Sequence, residues 1–425
     1  MPPIRFIHAA DLHLDAAFSG LSRDIPADFA ERLRTATFTA FRRLLDLCER
    51  ESPDFLLLAG DVYNQEDASV SAQLALRDGF RRLESLSIPV FLVHGNHDPL
   101  ASRLRSVRWP GNVTVFGELP DAVPVFRKGE GTPLAIIHGA SHASGRETRN
   151  LAALFRRTEA CGLHVGLLHA TPGDADGVAR YAPFSQEDLK ASGMDYWALG
   201  HIHDRREVCR EPLAAYPGCT QGLHINEPGE KGCLLVTAEV RPDGGYAVRT
   251  SFRPLGPAVW KTLDMDLGGA ASLDELENRL RTGLDRAAAE VWSGCEMLLV
   301  RLRLQGRTEL DGLLRKGTTC AELADRLREG GNGVPRIWIK DIDVATRPCV
   351  ERGALLERED LLGEVFRLSE AARTASGLQA LREGPLAPLF AHARAGKALE
   401  PLTDEELARL LDDAESLCLD LLEND

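Results

Sequence analysis

Five short apolar runs in the first half of the chain each end in a cluster of polar residues. The runs cover residues 6–10, 56–59, 91–93, 165–168 and 197–199. A continuous apolar run of this length predicts a strand that is buried on both faces. Open α/β sheets bind their ligands in the crevice at the carboxyl ends of the strands. We therefore expect the polar residues behind these five strands to converge on one place.

The segments between these runs carry the spacing of amphipathic helices. Residues 26–52 and residues 72–86 have apolar side chains at helical intervals, so each predicts a helix that covers the sheet. After residue 203 the pattern changes to two-residue alternation, as in residues 246–252, which predicts antiparallel strands of a second sheet. The sequence therefore predicts an α/β fold over residues 1–255.

The remainder of the chain differs in pattern. Proline and glycine cluster at residues 254–257, which indicates a domain boundary. Residues 256–346 hold a capping box at Ser272, a second helix and short strands, and these predict a small α/β domain. Residues 347–425 are helical and leucine-rich, with one apolar stripe from Leu407 to Leu421. Such a stripe either packs on its own chain or docks a partner helix.

The polar residues behind the five strands are of the types that bind divalent metal ions. They are Asp11, His13, Asp61, Asn96, His169, His201 and His203. Carboxylates and imidazoles without a thiolate favour Mn, Fe or Zn. Two such ions about 3.5–4 Å apart can clamp the attacking and leaving oxygens of an in-line displacement. A water between them loses its proton near neutral pH and becomes a nucleophile.

The spacing of these residues suggests how they divide between two ions. Asp61 stands alone behind its strand and is the candidate to bridge both ions. Asp11, His13 and His203 would hold one ion, and Asn96, His169 and His201 the other. His97 is left over, free to contact the phosphate or to donate a proton to the leaving oxygen. Each motif alone is weak, but the five in this order favour a two-metal phosphoesterase.

This series of motifs resembles that of the calcineurin-like metallophosphoesterases: Asp-x-His, Gly-Asp, Gly-Asn-His-Asp, His and Gly-His-x-His. Residues 212–219, followed by Glu227 and residues 230–236, resemble a hairpin of the SbcD/YhaO-type DNA repair exonucleases. The resemblance covers residues 1–255 well and the remainder in outline. It implies a four-layer α/β/β/α metallophosphoesterase sandwich, then a small α/β capping domain that helps embrace DNA, then C-terminal helices that dock a partner.

The resemblance also implies an activity and partners. It implies a DNA exonuclease and endonuclease of DNA repair that uses two divalent ions, with Mn²⁺ first and Mg²⁺, Fe²⁺ or Zn²⁺ as alternatives. Its partners would be DNA and an SMC-like coiled-coil ATPase, with the nuclease as a homodimer. Many relatives carry a histidine where this chain has Asn64. Because Asn64 cannot shuttle a proton, either His97 acts alone or the exonuclease is weaker.

Three residues are candidates for weaker substrate contacts. They are Asn64, Arg103 and His142. For Arg103 the alternative is an ordinary solvated surface arginine. The net charge of −14 neither favours nor excludes nucleic acid, because residues 401–425 hold much of the acidic excess and bound ions would add positive charge.

Other features limit the compartment and the competing functions. Nine cysteines without a Cys-x-x-Cys pair argue against disulfides and fit a reducing cytoplasm. The chain enters a strand at Ile4 and has no membrane-length apolar run, so we expect no signal peptide and no membrane contact. One alternative is a small-molecule phosphodiesterase, which would not need residues 256–425. The other is a non-catalytic scaffold for the ATPase, which the complete ligand set disfavours.

Overall fold

The computed structural model describes residues 2–21, 25–63, 69–102, 107–173, 180–329, 333–349, 352–391 and 402–422. The chain forms two compact units. The first comprises Met1–Asp266, Asp274–Leu304 and Leu314–Ala345, and the second comprises Leu267–Leu273, Gln305–Leu313 and Thr346–Asp425. In the described part of the chain, no helix combines the length and the apolar character needed to cross a bilayer.

Among the described residues, the first unit contains two six-stranded sheets. Their strands are β1 (Ile4–Ala9), β2 (Phe55–Ala59), β3 (Val90–Val93), β4 (Val113–Val115), β5 (Asp121–Val125), β6 (Ala135–Ala140), β7 (Leu163–His169), β8 (Tyr196–Gly200), β9 (Arg206–Arg210), β10 (Leu213–Tyr216), β11 (Gly232–Val240) and β12 (Tyr246–Pro254). One sheet has the order β12-β11-β1-β2-β3-β4, and the other has the order β5-β6-β7-β8-β10-β9. The pair β11 and β12 is antiparallel, as the alternating pattern predicts. The prediction that these strands belong to the second sheet is wrong, because β11 pairs with β1 and so extends the first sheet.

Helices cover the outer faces of both sheets. They are α2 (Ala36–Glu51) and α3 (Val70–Ser85) on one sheet, and a 3-10 turn (Ala152–Leu154) and α4 (Gln186–Ala191) on the other. The preceding helix, α1 (Ala27–Arg34), packs in a separate apolar cluster. The single helix predicted over residues 26–52 is therefore two helices. The break falls at Thr35, whose hydroxyl donates to the Glu31 carbonyl at 3.1 Å. Back-bonding of this kind bends helices, and residue types on either side give no sign of it.

The strand β2 shows why the apolar runs are continuous. All five of its residues are fully buried. Leu56 and Leu58 point to the core beneath α2 and α3. Phe55 and Leu57 point to a second core between the two sheets, together with Tyr196 of β8. A third core, which includes Trp197, lies on the far face of the second sheet. The predicted four-layer α/β/β/α sandwich is confirmed.

A smaller sheet and its helices complete the first unit. They comprise β13 (Ala258–Asp266), α5 (Leu273–Glu290), β14 (Met297–Gln305), α7 (Thr319–Arg328) and β16 (Arg336–Val344), with the strand order β13-β14-β16. Phe29 and Leu33 of α1 share one apolar cluster with Trp260, Met297 and Trp338 of this sheet. The small sheet is therefore packed against the N-terminal helices by a continuous core.

The second unit is mainly helical. Its elements are β15 (Arg307–Thr308), α6 (Asp311–Leu314, at the boundary), β17 (Arg347–Pro348), α8 (Arg352–Leu356), α9 (Leu361–Ala372), α10 (Ala375–Glu383), α11 (Ala387–Ala391) and α12 (Asp404–Leu422). Leu355, Leu362, Phe366 and Leu419 form its core. The predicted capping box opens α12: Thr403 accepts from the Glu406 N–H at 3.3 Å, and Glu406 accepts from the Thr403 N–H at 2.7 Å.

The apolar stripe of α12 differs from the prediction. Leu407 and Leu419 are buried, with exposed fractions of 1% and 3%, whereas Leu417 and Leu421 are 60% and 65% exposed. The buried side also includes Glu415, which pairs with Arg352. Because the buried side contains this charged residue, the sequence pattern did not indicate that this side is buried. The helix therefore has one face packed in its own unit and a second apolar face exposed.

Candidate metal centre

The seven candidate ligands lie in one cluster at the carboxyl ends of strands from both large sheets. Asp11 and His13 follow β1, Asp61 follows β2, Asn96 follows β3, His169 ends β7, and His201 and His203 follow β8. The Asp11 carboxylate accepts the His201 N–H at 3.1 Å, which ties the two sheets together at this edge. The convergence expected from the strand pattern is therefore present in the structure.

Asp11, His13 and His203 form what we call the first ligand group. Their ligand atoms all lie within 4.8 Å of one another. The Nε2 atoms of His13 and His203 are 3.1 Å apart. One oxygen of Asp11 is 3.9 Å from His203 Nε2. This is the spacing of atoms that share one small cation.

Asn96, His169 and His201 form the second ligand group, with Asp61 between the two groups. The ligand atoms of Asp61, His169 and His201 also lie within 4.8 Å of one another. Asn96 Oδ1 is 3.0 Å from His169 Nε2. Asp61 Oδ2 is 3.3 Å from His169 Nε2 and 4.0 Å from His13 Nε2. One carboxylate oxygen therefore faces both groups, as a bridging ligand must.

A hydrogen bond on the Nδ1 side of His169 leaves its Nε2 atom available to bind a cation. His169 Nδ1 is 2.9 Å from the Ala59 carbonyl, so the ring donates there, and its neutral form keeps a lone pair on Nε2. That lone pair faces the oxygens of Asn96 and Asp61, which also carry lone pairs. Converging lone pairs repel one another unless a cation or a proton lies between them. The residues present therefore fit divalent metal ions.

Charge in the cluster also favours a cation. Burial disfavours the charged form of His169, but the Asp61 carboxylate overrides it and raises the pKa of His169. Burial likewise opposes ionisation of Asp61, yet His169 and His13 hold the pKa of this carboxyl far below its usual value. Burial raises the pKa of Asp11 to about 6, against the opposing charges of His169 and His203. The buried carboxylates therefore attract positive charge into the site.

The backbone around the cluster is strained. Asp11, His13, Asp61 and His201 have φ values of 51°, 41°, 49° and 102°. Residues other than glycine rarely adopt this left-handed backbone conformation, which costs about 1–3 kcal/mol for each such residue. Backbone bonds hold the loops in place: Asp11 N–H donates to Gly60 O, and His13 N–H donates to Asp61 O, each at 3.1 Å. Strain that neighbouring bonds maintain is typical of functional sites.

Glycines before the ligands allow a close approach. Gly60 has a φ of 90°, and a Cβ built there would lie 2.5 Å from His169 Nδ1. A Cβ on Gly95 would collide with the Asp61 carboxylate. Any larger residue at either position would therefore displace a candidate ligand.

His97 lies at the rim of the cluster. Its side chain is exposed, and its ring centroid is 5.2 Å from that of His13. Its backbone N–H donates to Asp61 Oδ1 at 2.9 Å. The imidazole is thus open to solvent while its backbone is fixed to the carboxylate between the two ligand groups.

Two supporting carboxylates were not assigned a role from the sequence. Glu227 Oε1 lies 2.5 Å from His203 Nδ1, and although burial opposes ionisation, this contact lowers the pKa of Glu227 to about 2. Asp98 is fully buried and accepts the N–H groups of Val62 and Gly95, which joins the loops after β2 and β3. Both residues lie inside motifs that carry the resemblance, but their partners are set by tertiary contacts.

The weaker substrate contacts fare differently. Asn64 and Arg103 lie outside the described residues. His142 is fully buried, and its Nε2 donates to the His169 carbonyl at 2.6 Å. Burial also lowers the pKa of His142 to about 4, so the ring is neutral. This position argues against the substrate contact considered from the sequence, because the ring lies behind a candidate ligand and out of reach of solvent.

Comparison with known proteins places these observations in a wider group. The profile described as calcineurin-like phosphoesterase matches residues 4–205, and that of the metallophosphoesterase YhaO middle domain matches residues 260–347. The chain is 34% identical over 388 residues to the uncharacterized metallophosphoesterase YhaO of Bacillus subtilis (strain 168), which covers 90% of this chain and 91% of that protein.

More distant relatives include nucleases. The DNA double-strand break repair protein Mre11 of Aeropyrum pernix is 26% identical over 318 residues, covering 68% of this chain and 69% of that protein. Among solved structures, a dimetal phosphatase from Danio rerio matches with 13% identity and a TM-score of 0.33, covering 59% of this chain and 99% of that chain.

Proposed function

This chain belongs to the calcineurin-like metallophosphoesterases, and from that membership we propose that it is a two-metal nuclease that hydrolyses the phosphodiester bonds of DNA. The observation that carries the proposal is the pair of ligand groups with the Asp61 carboxylate between them. This family uses a dinuclear metal centre, and the donor set described above fits one. Similarity to Mre11, a DNA double-strand break repair protein, supports DNA as the substrate.

Each group of residues would have a separate task in the reaction. Two divalent ions, with Mn²⁺ as the first candidate and Mg²⁺, Fe²⁺ or Zn²⁺ as alternatives, would supply Lewis acidity and an activated water. The first and second ligand groups would hold them, and Asp61 would set their separation. Glu227 and Ala59 keep the imidazoles of His203 and His169 in the orientation that presents Nε2.

His97 is proposed as the general acid. Proton donation to the leaving oxygen requires an imidazole that reaches the substrate without being a metal ligand. The exposed ring of His97 next to His13, and its backbone bond to Asp61, support that role. With Asn64 in the position where many relatives carry a histidine, His97 would act alone.

We assign three segments to this activity: a nuclease domain over residues 1–255, a capping domain over residues 256–346 and a docking region over residues 347–425. The protein would act in the cytoplasm as a homodimer bound to an SMC-like coiled-coil ATPase.

Support for docking comes from the second unit, where Leu410, Leu417 and Leu421 of α12 are 45%, 60% and 65% exposed. Exposed apolar faces of this kind usually bind a partner. Arg373 and Arg382 already neutralise Asp412 and Asp404. The leucines would therefore supply most of the affinity.

The function is tested by digestion of labelled DNA. Single- and double-stranded DNA, bis-p-nitrophenyl phosphate and a cyclic nucleotide are each incubated with the full chain and Mn²⁺. We expect hydrolysis of DNA and of the generic diester, and none after chelation of the metal. Hydrolysis of the cyclic nucleotide with DNA left intact would favour the small-molecule phosphodiesterase. No hydrolysis of any substrate would favour the scaffold.

The docking face is tested by surface substitution. Truncation after Glu400 removes the partner face, but it also removes Leu419 from the unit's own core. A triple variant, Leu410→Ser, Leu417→Ser and Leu421→Ser, spares that core. We expect it to lose co-purification with the SMC-like ATPase from the native host while retaining Mn²⁺-dependent cleavage. Leu154→Ser, at a leucine that is 49% exposed in the first unit, is the matched control. Undiminished co-purification of the triple variant would contradict the docking proposal.

A further inference from the structure

The loop of residues 221–229, which is part of the connection between β10 and β11, is hydrogen-bonded to the small sheet at both of its ends. At the first end, the Gln221 side chain donates to the Ala258 carbonyl at 2.8 Å and accepts the Ala258 N–H at 3.1 Å. Trp260 Nε1–H donates to the Gly222 carbonyl at 3.1 Å. At the second end, Gly229 N–H donates to the Trp260 carbonyl at 2.9 Å. Trp260 therefore holds both ends of the 221–229 loop.

Glu227 lies between these two fastened ends. One of its carboxylate oxygens accepts the Leu223 N–H at 2.6 Å, within the loop. The other lies 2.5 Å from His203 Nδ1, in the first ligand group. The backbone N–H of Glu227 donates to the His224 carbonyl at 2.9 Å, which fixes the turn that carries the side chain. The position of this carboxylate thus depends on the position of the loop.

We propose that Trp260 is a positioning residue for the metal centre. It fixes the 221–229 loop, and this loop holds Glu227 in contact with His203. Through this contact, Trp260 sets the affinity of the first ligand group for its metal ion. The small sheet, which lies in the proposed capping domain, would then also control metal occupancy. This inference rests on the proposed role of His203 as a ligand. Outer carboxylates that orient a ligating histidine commonly change metal affinity when they are replaced.

A second tryptophan in the same apolar cluster, Trp338, provides a control for the effect of packing alone. Trp338 is 5% exposed and belongs to the same cluster as Trp260, which is fully buried. Among the described residues, Trp338 Nε1 has no hydrogen-bond partner, whereas Trp260 Nε1 bonds the loop. Replacement by phenylalanine removes a ring edge and an N–H at either position. The loss of a bond to the 221–229 loop occurs at Trp260 only.

The test is calorimetric titration of the metal-free full chain with Mn²⁺, for Trp260→Phe and for Trp338→Phe. We expect Trp260→Phe to weaken the binding of one of the two ions by about two- to tenfold, the effect of losing a single neutral hydrogen bond. Trp338→Phe should leave both affinities unchanged. Thermal unfolding of each variant establishes that both are folded. Equal weakening in the two variants, or none in Trp260→Phe, overturns the proposal.

A double-mutant cycle tests the path through the carboxylate. Glu227→Gln should weaken the binding of the same ion by roughly 10- to 100-fold. If Trp260 acts through Glu227, adding Trp260→Phe to Glu227→Gln should cause little further loss, because the contact is already weakened. Full additivity of the two effects would overturn the proposed path.

One further variant separates this inference from the assignment on which it rests. His203→Ala should remove or severely weaken the ion that Trp260→Phe affects. If His203→Ala leaves Mn²⁺ binding unchanged, the ligand assignment itself is wrong. If His203→Ala abolishes one ion and Trp260→Phe does nothing, the ligand assignment stands and the positioning role alone fails.

Discussion

Replacing Asp61 by alanine is expected to lower Mn²⁺-dependent phosphodiester cleavage by at least about a thousandfold, because in the proposed site one carboxylate would serve both metal positions. Its Oδ2 atom is 3.3 Å from His169 Nε2 and 4.0 Å from His13 Nε2, one histidine from each ligand group. Without it, the separation of the two proposed ions would no longer be fixed. The measurement is the initial rate with bis-p-nitrophenyl phosphate at saturating Mn²⁺, beside thermal unfolding of the same samples.

Two further variants control for structure and for charge. Asp61→Asn retains an oxygen that can accept the His97 N–H, so it tests the charge with less disturbance of the loop. Asp78→Asn removes a carboxylate from the exposed face of α3, where the side chain is 58% exposed, and should leave the rate unchanged. If both Asp61 variants were folded and retained near-wild-type rates, the bridging role would be wrong.

Replacing His97 by alanine is expected to lower DNA cleavage by several hundredfold or more, in the range typical of losing a general acid. The protein should still bind about two Mn²⁺ per chain, because the ring of His97 lies outside both ligand groups. Rates and metal content are measured on the same preparation. A fall in metal content that parallels the fall in rate would make His97 a ligand.

The leaving group gives a second way to recognise a general acid. The alkoxide that leaves from DNA needs a proton, whereas p-nitrophenolate leaves without one. His97→Ala should therefore slow DNA cleavage far more than hydrolysis of bis-p-nitrophenyl phosphate. Equal losses on both substrates would indicate that His97 binds the phosphate and does not donate a proton.

The fold was largely predictable because its signals are local. The run at residues 55–59 is apolar throughout because alternate side chains enter two different cores, one beneath the helices and one between the sheets. The start of α12 was predictable because Thr403 and Glu406 are three residues apart. The break at Thr35 was not predictable, because the apolar side chains on either side of it continue one helical pattern.

The candidate site was predictable only in part. Its seven ligand candidates sit directly behind strands, so sequence position alone indicates that they meet. Glu227 and His142 contact candidate ligands that lie 24 and 27 residues away in sequence, and only the folded chain brings each pair together. The buried side of α12 escaped prediction for a related reason, because Glu415 is balanced there by Arg352 and Arg373.

The most direct test of the two-metal account is a crystal structure of the full chain with Mn²⁺, with anomalous data collected at the manganese edge. We expect two anomalous peaks about 3.5–4 Å apart, with Asp61 bound to both. The first peak should also contact Asp11, His13 and His203, and the second should contact Asn96, His169 and His201. A single peak, or two peaks of which one does not touch Asp61, would contradict the account.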